Sequence, residues 1–279
     1  MKVALIEYPE EAALIKDLLA RIYFKLGDKK NTVKYASEVL DIAPDNDYMN
    51  VLLLFSYQGL GKCNEALTYA NNLLAQDSTN HYAYNFQMSI YECLGEFDKA
   101  LESINKAIEL SPKSPELYAN RASLHRSQGR LDEAIDDYFI AMNLDSTISS
   151  WVLYHGVTLK QQGKNILAEE DFRKAIELDS IAGNTFSMAF AYAFLGEKEK
   201  AISTFVEGYA KKEIDDYNGA CLYSLLGESA LALRYLERAL ERGFCDFIHI
   251  EHDSDFDNIR ELPEFKALIE KYQESSISL

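Results

Sequence analysis

Basic residues are scarce in this chain: 28 Lys and Arg stand against 45 Asp and Glu, a formal charge of −17 over 279 residues. Such a surface repels phosphate backbones and anionic lipid heads, which argues against nucleic acid or a membrane surface as partner. Long apolar runs are missing too. No stretch approaches the ~20 residues of a membrane-spanning helix. The opening MKVALIEYPEE turns acidic at once and has no small-residue cleavage site, so it does not read as a signal peptide. Cysteine is limited to Cys63, Cys93, Cys221 and Cys245, far apart and without a CxxC pair. That usage reads as free thiols in a reducing cytoplasm. Also absent are GxxxxGK followed by Ser or Thr, GxGxxG, GxSxG and HExxH. No phosphate-cradling loop, nucleophile elbow or zinc-protease helix is in place, and the chain reads as a non-enzyme.

What the chain does have is a period. Residues 81–114, HYAYNFQMSIYECLGEFDKALESINKAIELSPKS, hold two amphipathic segments and a tight turn. Tyr84, Met88 and Tyr91 share one face of the first segment; Phe97, Ala100, Leu101, Ile104, Ala107 and Ile108 share one face of the second. Gly95 stands where the first helix must stop and Pro112 where the second cannot continue. The turn glycine recurs at Gly27, Gly61, Gly95, Gly129 and Gly163, 34 residues apart, then at Gly196 and Gly227. Five residues after each lies Ala66, Ala100, Ala134, Ala168, Ala201 or Ala232, with Thr32 the exception. A small residue at that point lets two helix backbones approach closely. At Ser114-Pro115-Glu116 a serine cap, a proline at the first helical position and an acid mark a helix start.

On this period and these residues the chain resembles the tetratricopeptide repeat (TPR) family over nearly its whole length. The resemblance implies an all-α fold, a right-handed α-solenoid of about seven helix-turn-helix repeats spanning 13–242 as one elongated domain. Residues 1–12 resemble the tail of an incomplete repeat, with Pro9 near the slot of Pro44 and Pro112; they read as a native cap or as the end of a longer array. Residues 243–279 resemble the closing element of bacterial TPR arrays, carried by Gly243, Phe244, Asp246, Phe247, Asp253, Asp255, Phe256, Asp257, Arg260, Pro263 and Phe265. An extended or irregular piece is expected over 244–250 and a final helix over 263–272.

In this family the concave face is lined by the first helix of each repeat, chiefly at its second, fifth, ninth and twelfth positions. Transferred to this sequence, that count selects Tyr48, Val51 and Phe55 in repeat 2, and Tyr82, Asn85 and Ser89 in repeat 3. Repeats 4 to 6 add Ala119, Ser123, Arg126, Leu153, Val157, Phe186 and Phe190. Aromatic anchors with amide and small neighbours suit an extended peptide or a partner helix, and an asparagine such as Asn85 can pair with a peptide amide. Phe186, Phe190 and Phe194 read equally as inter-repeat packing. Replacing Phe55 or Phe190 by Glu is expected to abolish binding without unfolding the array. The lysine–asparagine clamp of chaperone-binding members is not recognisable, since Asp17 and Arg21 fill its first two slots. The expected role is a cytoplasmic, bacterial-type scaffold for a basic or neutral protein partner, with no cofactor. Homo-oligomers, and a regulatory peptide-sensing module of a larger protein, stay open.

A third reading rests on residues 249–257, where His249, His252, Asp253, Asp255 and Asp257 crowd together. A calcium loop can be laid over Asp253, Asp255, Asp257, Glu261 and Glu264. It fails at Asn258, where glycine is needed for the turn, and at Arg260, where an apolar residue is usual. The plainer reading has these acids capping helix starts and solvating the end of the rod. His81, His125 and His155 lie in different first helices and read as surface or inter-helix residues.

Overall fold

The computed structural model describes residues 9–277, with side chains from 12 to 273. Among these residues there are sixteen α-helices and one short 3-10 turn, and no strand. Seven helix pairs follow one another, each a first helix, a tight turn and a second helix. They are α1 Pro9–Lys25 with α2 Lys29–Leu40, α3 Asp47–Gln58 with α4 Cys63–Gln76, and α5 His81–Cys93 with α6 Phe97–Leu110. Next come α7 Pro115–Ser127 with α8 Leu131–Leu144, α9 Ser149–Gln161 with α10 Asn165–Ala182, α11 Phe186–Phe194 with α12 Lys198–Lys211, and α13 Asp216–Leu225 with α14 Ser229–Glu241. The closing segment holds α15 Phe247–His252, the 3-10 turn Ser254–Phe256 and α16 Pro263–Ile277. This is the all-α repeat architecture that the period requires. The chain divides into two compact units, residues 1–111 with pairs 1–3 and residues 112–279 with pairs 4–7 and the closing segment.

The turn glycines set the hairpins. Gly95 has φ 71°, a left-handed conformation that costs an L-residue with a Cβ about 1–2 kcal/mol. Its N–H donates to the Glu92 carbonyl at 2.9 Å, and the next N–H, of Glu96, reaches back to Tyr91 at 2.8 Å. These bonds satisfy carbonyls that the end of α5 would otherwise leave open. The small-residue slot behaves as its spacing requires: Ala66, Ala100, Ala134, Ala168, Ala201 and Ala232 are all buried. Thr32 is buried there too, and its hydroxyl donates to the Asp28 carbonyl at 2.8 Å.

Helix starts use several devices. Asp28, Asn46, Asn80 and Asp215 accept a backbone N–H at the starts of α2, α3, α5 and α13. Ser114 occupies the cap position of α7 with Pro115 behind it, but its hydroxyl donates to the Glu116 carboxylate at 2.7 Å and not to the backbone. At the shortened sixth pair the start is capped from a neighbour: buried Asp179, on α10, accepts the Met188 N–H of α11 at 2.9 Å and the Ser149 hydroxyl.

Three expectations change here. Residues 247–252 form the helix α15 instead of an extended piece, because Asp246 caps them by accepting the His249 N–H at 2.9 Å. The final helix runs on past 272 to Ile277. Cys63 and Cys93 are joined as a disulfide, with Cα atoms 6.4 Å apart, and are not free thiols. Repeat stacking explains the pair: it lays the start of α4 beside the end of α5, so residues 30 apart in sequence meet. With that pair joined, cysteine usage no longer argues for a reducing compartment. No described helix is long and apolar enough to cross a membrane. Most of the expected cap at 1–12 lies outside the described residues; Pro9–Ala12 belong to α1.

Candidate functional site

In the first unit, one apolar row crosses the first helices. Phe24 of α1 lies 6.5 Å from Phe55 of α3, ring centre to ring centre. Phe55 in turn meets Phe86 of α5 edge to face at 5.2 Å. The three rings fall 31 residues apart, three short of the repeat period, so each contact joins different positions of successive first helices. Phe55 is 41% exposed, Tyr48 42% and Tyr82 63%, large apolar areas open to a partner. Tyr48 carries the Arg21 guanidinium 4.0 Å above its ring. Arg21 is tied by its Nε to Asp17 at 2.6 Å, so the two residues in the clamp slots form their own ion pair. Ser89 accepts from Gln58 Nε2 at 3.1 Å and donates to the Phe86 carbonyl. Val51 and Asn85 are partly buried beside these rings.

In the second unit, the same helix positions line a cavity of about 180 Å³. Ser123 and Arg126 of α7, Leu153 and Val157 of α9, and Phe186, Phe190 and Phe194 of α11 form three walls. Tyr217, Asn218 and Cys221 of α13 add a fourth, and His249, Asp253 and Asp255 of the closing segment a fifth. Six of the expected groove residues therefore meet around one space. Leu153, Val157 and Phe190 are buried in its lining, and Ala119 is buried in α7.

The polar part of this cavity is concentrated. Asp253 Oδ2 accepts the Tyr217 hydroxyl at 2.7 Å and lies 3.7 Å from Cys221 Sγ and 3.7 Å from His249 Nε2. Donor atoms of Cys221, Asp253 and Asp255 all fall within 4.8 Å of one another. Burial first, then the Asp253 charge, push the Asp255 carboxyl up to about 7, against the pull of Arg126. Burial also raises the Cys221 thiol well above its usual range and the Tyr217 hydroxyl with it. Arg126 has a buried Nε with no hydrogen-bond partner among the described residues, and its guanidinium stands 5.6 Å from the Tyr154 ring centre.

The acids of the closing segment separate by role. Asp257 pairs with Arg260 at 3.0 Å and Glu261 with Lys266 at 2.6 Å, so they serve the segment's own surface. The plainer sequence reading had these acids capping helix starts and solvating the end of the rod; Asp253 does cap the 3-10 turn, accepting the Asp255 N–H at 3.1 Å, but it and Asp255 line the cavity. Two histidines of first helices face acids of second helices: His155 Nδ1 lies 2.6 Å from Asp171, and buried His125 lies 3.8 Å from Asp137. Burial, followed by Arg130, lowers the His125 pKa, so its imidazole is neutral near pH 7. Sequence reasoning missed Tyr217 and Cys221, although both sit at the fifth and ninth positions of repeat 7. Continuing the positional count by one repeat would have found them.

Comparison with known proteins gives a consistent picture. One tetratricopeptide repeat model matches residues 56–115 and 89–141, and a second matches 15–46 and 155–181. A chloroplastic protein of Arabidopsis thaliana is 29% identical over 114 residues, 41% of this chain and 34% of that protein. This chain thus matches about a third of the relative's length. Among solved structures, a MamA protein aligns at TM-score 0.51 and 22% identity over 61% of this chain and 93% of that one. A MamA fragment from Desulfovibrio magneticus RS-1 aligns at 0.53 and 15% identity over 60% and 95%. At these identities the structural likeness concerns the fold.

Proposed function

Because this chain belongs to the tetratricopeptide repeat family, we propose that it is a non-catalytic protein-interaction scaffold. Its first-unit face, built by α1, α3 and α5, holds a peptide or helix of another protein. The observation that carries this reading is the exposed row of Phe24, Phe55, Tyr48 and Tyr82. Rings of this kind bury large area at small entropic cost and dominate binding energy when desolvated. Asn85 and Ser89 would frame them with polar contacts for a peptide backbone, and Val51 would extend the apolar surface. The partner is basic or neutral, as the net charge of −17 favours.

Phe190, the second anchor offered by the sequence, is only 4% exposed. A charge there would cost the fold, so Tyr82 replaces it as a probe. The test is a pull-down with the wild-type chain beside Phe55→Glu and Tyr82→Glu, each checked for helicity by circular dichroism. A protein retained by the wild type and lost from both folded variants supports the reading. Equal retention by all three removes the site from this face.

A further inference from the structure

The cavity of the second unit is built for a ligand of a different kind from the partner of the first-unit face. Its volume of about 180 Å³ slightly exceeds that of an engineered cavity of ~150 Å³ that takes up benzene. On that scale it accommodates a benzene-sized apolar group with room for little more, so the polar end of a ligand must lie against the lining. The closing segment forms one of its walls, which suits a small molecule and not a peptide running through.

Two charges of opposite sign stand on its walls without meeting. Arg126 attracts Asp255 and Asp253 across the space, yet no ion pair joins it to either among the described residues. Its buried Nε has no hydrogen-bond partner among them. A guanidinium nitrogen buried without an acceptor is costly, and a carboxylate group is the acceptor the planar fork of arginine fits best. Opposite it, the Asp253 carboxylate accepts from Tyr217 at 2.7 Å; Arg260 reaches only the Asp253 backbone carbonyl, and no lysine or arginine side chain pairs with the carboxylate of Asp253 or Asp255 among the described residues. Between these poles the walls are phenylalanine, leucine and valine. An occupant that satisfies all three regions carries a carboxylate, an ammonium and an apolar side chain on one small frame.

We propose that this cavity binds a free α-amino acid with a side chain of leucine to phenylalanine size, its carboxylate held by Arg126 and its ammonium by Asp253 and Asp255. The apolar side chain packs on Phe186, Phe190 and Leu153.

Isothermal titration calorimetry on the full chain tests this with L-leucine, L-phenylalanine, 3-phenylpropionate, phenethylamine and N-acetyl-L-phenylalanine. Saturable binding of one molecule of either amino acid per chain is expected. Each analogue lacking one charge should bind about tenfold to hundredfold more weakly, the worth of one charge-assisted contact. Arg126→Met should reduce amino-acid affinity by a similar factor while leaving phenethylamine unaffected, and Asp255→Asn should reduce phenethylamine binding while sparing 3-phenylpropionate. The analogue series on the wild-type chain decides the matter even if a variant does not fold. Absence of saturable binding by both amino acids overturns the proposal. So does N-acetyl-L-phenylalanine binding as tightly as phenylalanine, which would make the site a pocket for a peptide's carboxyl end. Because the cavity lies in the second unit, Phe55→Glu should leave amino-acid binding intact, so failure here is separable from failure of the first-unit face.

Discussion

Single residues do two kinds of work here, and glycine shows the first. Gly129 has φ 71° and nothing within 4 Å of where a Cβ would stand. Its requirement is therefore dihedral and not steric. Gly129→Val should destabilise the chain by about 1–2 kcal/mol or more, since a β-branched residue resists the left-handed region. Gly129→Asn, which tolerates that region, should cost less. Equal melting temperatures for the wild type and the valine variant would show that the turn relaxes to another geometry. Asp255 shows the second kind of work. Its folded pKa of about 7 lies above the ordinary 3.8, so the folded chain holds a proton that the unfolded chain loses between those values. Its contribution therefore becomes destabilising as pH rises from about 4 to 7 and is fully unfavourable above that. Asp255→Asn should gain stability relative to the wild type, and gain more at pH 8 than at pH 5, in urea midpoints. Equal gains at both pH values would mean that the carboxyl is not held against Asp253 and away from water.

At the scale of elements, close helix approach is set by small residues. Gly156, inside α9, faces α10 so closely that a Cβ would lie 2.9 Å from the Phe172 ring and 3.0 Å from the Asp171 Cβ. Phe172 is fully buried and has nowhere to move. Alanine would favour the helix by about 1 kcal/mol, but overpacking costs about 1–3 kcal/mol. Gly156→Ala should therefore be destabilising by chemical denaturation, and a stabilised variant would show that α9 and α10 can separate. The same rule makes the alanine slots readable in the sequence, because their spacing repeats with the helix contact they serve. Cap chemistry is read less well. Ser114 has the right type and place, yet its hydroxyl turns to Glu116, and Asp179 caps α11 from another helix altogether. A cap supplied from outside its own segment leaves no local pattern.

For the molecule as a whole, the charge of −17 sets how a partner arrives. With a basic partner, the association rate should fall about tenfold or more between low and high salt while dissociation changes little; surface plasmon resonance at several ionic strengths reads both. A salt-independent rate would point to the neutral, apolar partner instead. The sequence by itself determined the hairpins, the order of their helices and the small residues at their contacts. Each depends on a local dihedral or on a contact between neighbouring repeats, and a period of 34 restates both every time. Only the tertiary structure decided that Cys63 meets Cys93, that Phe190 is walled in while Phe55 is open, and that Asp253 and Asp255 confront Arg126 across a cavity. The cysteines stand once each, outside any recurring pattern, so their pairing shows only when repeats stack. The closing segment has no period, and where its acids point is settled by the apolar surfaces it must cover.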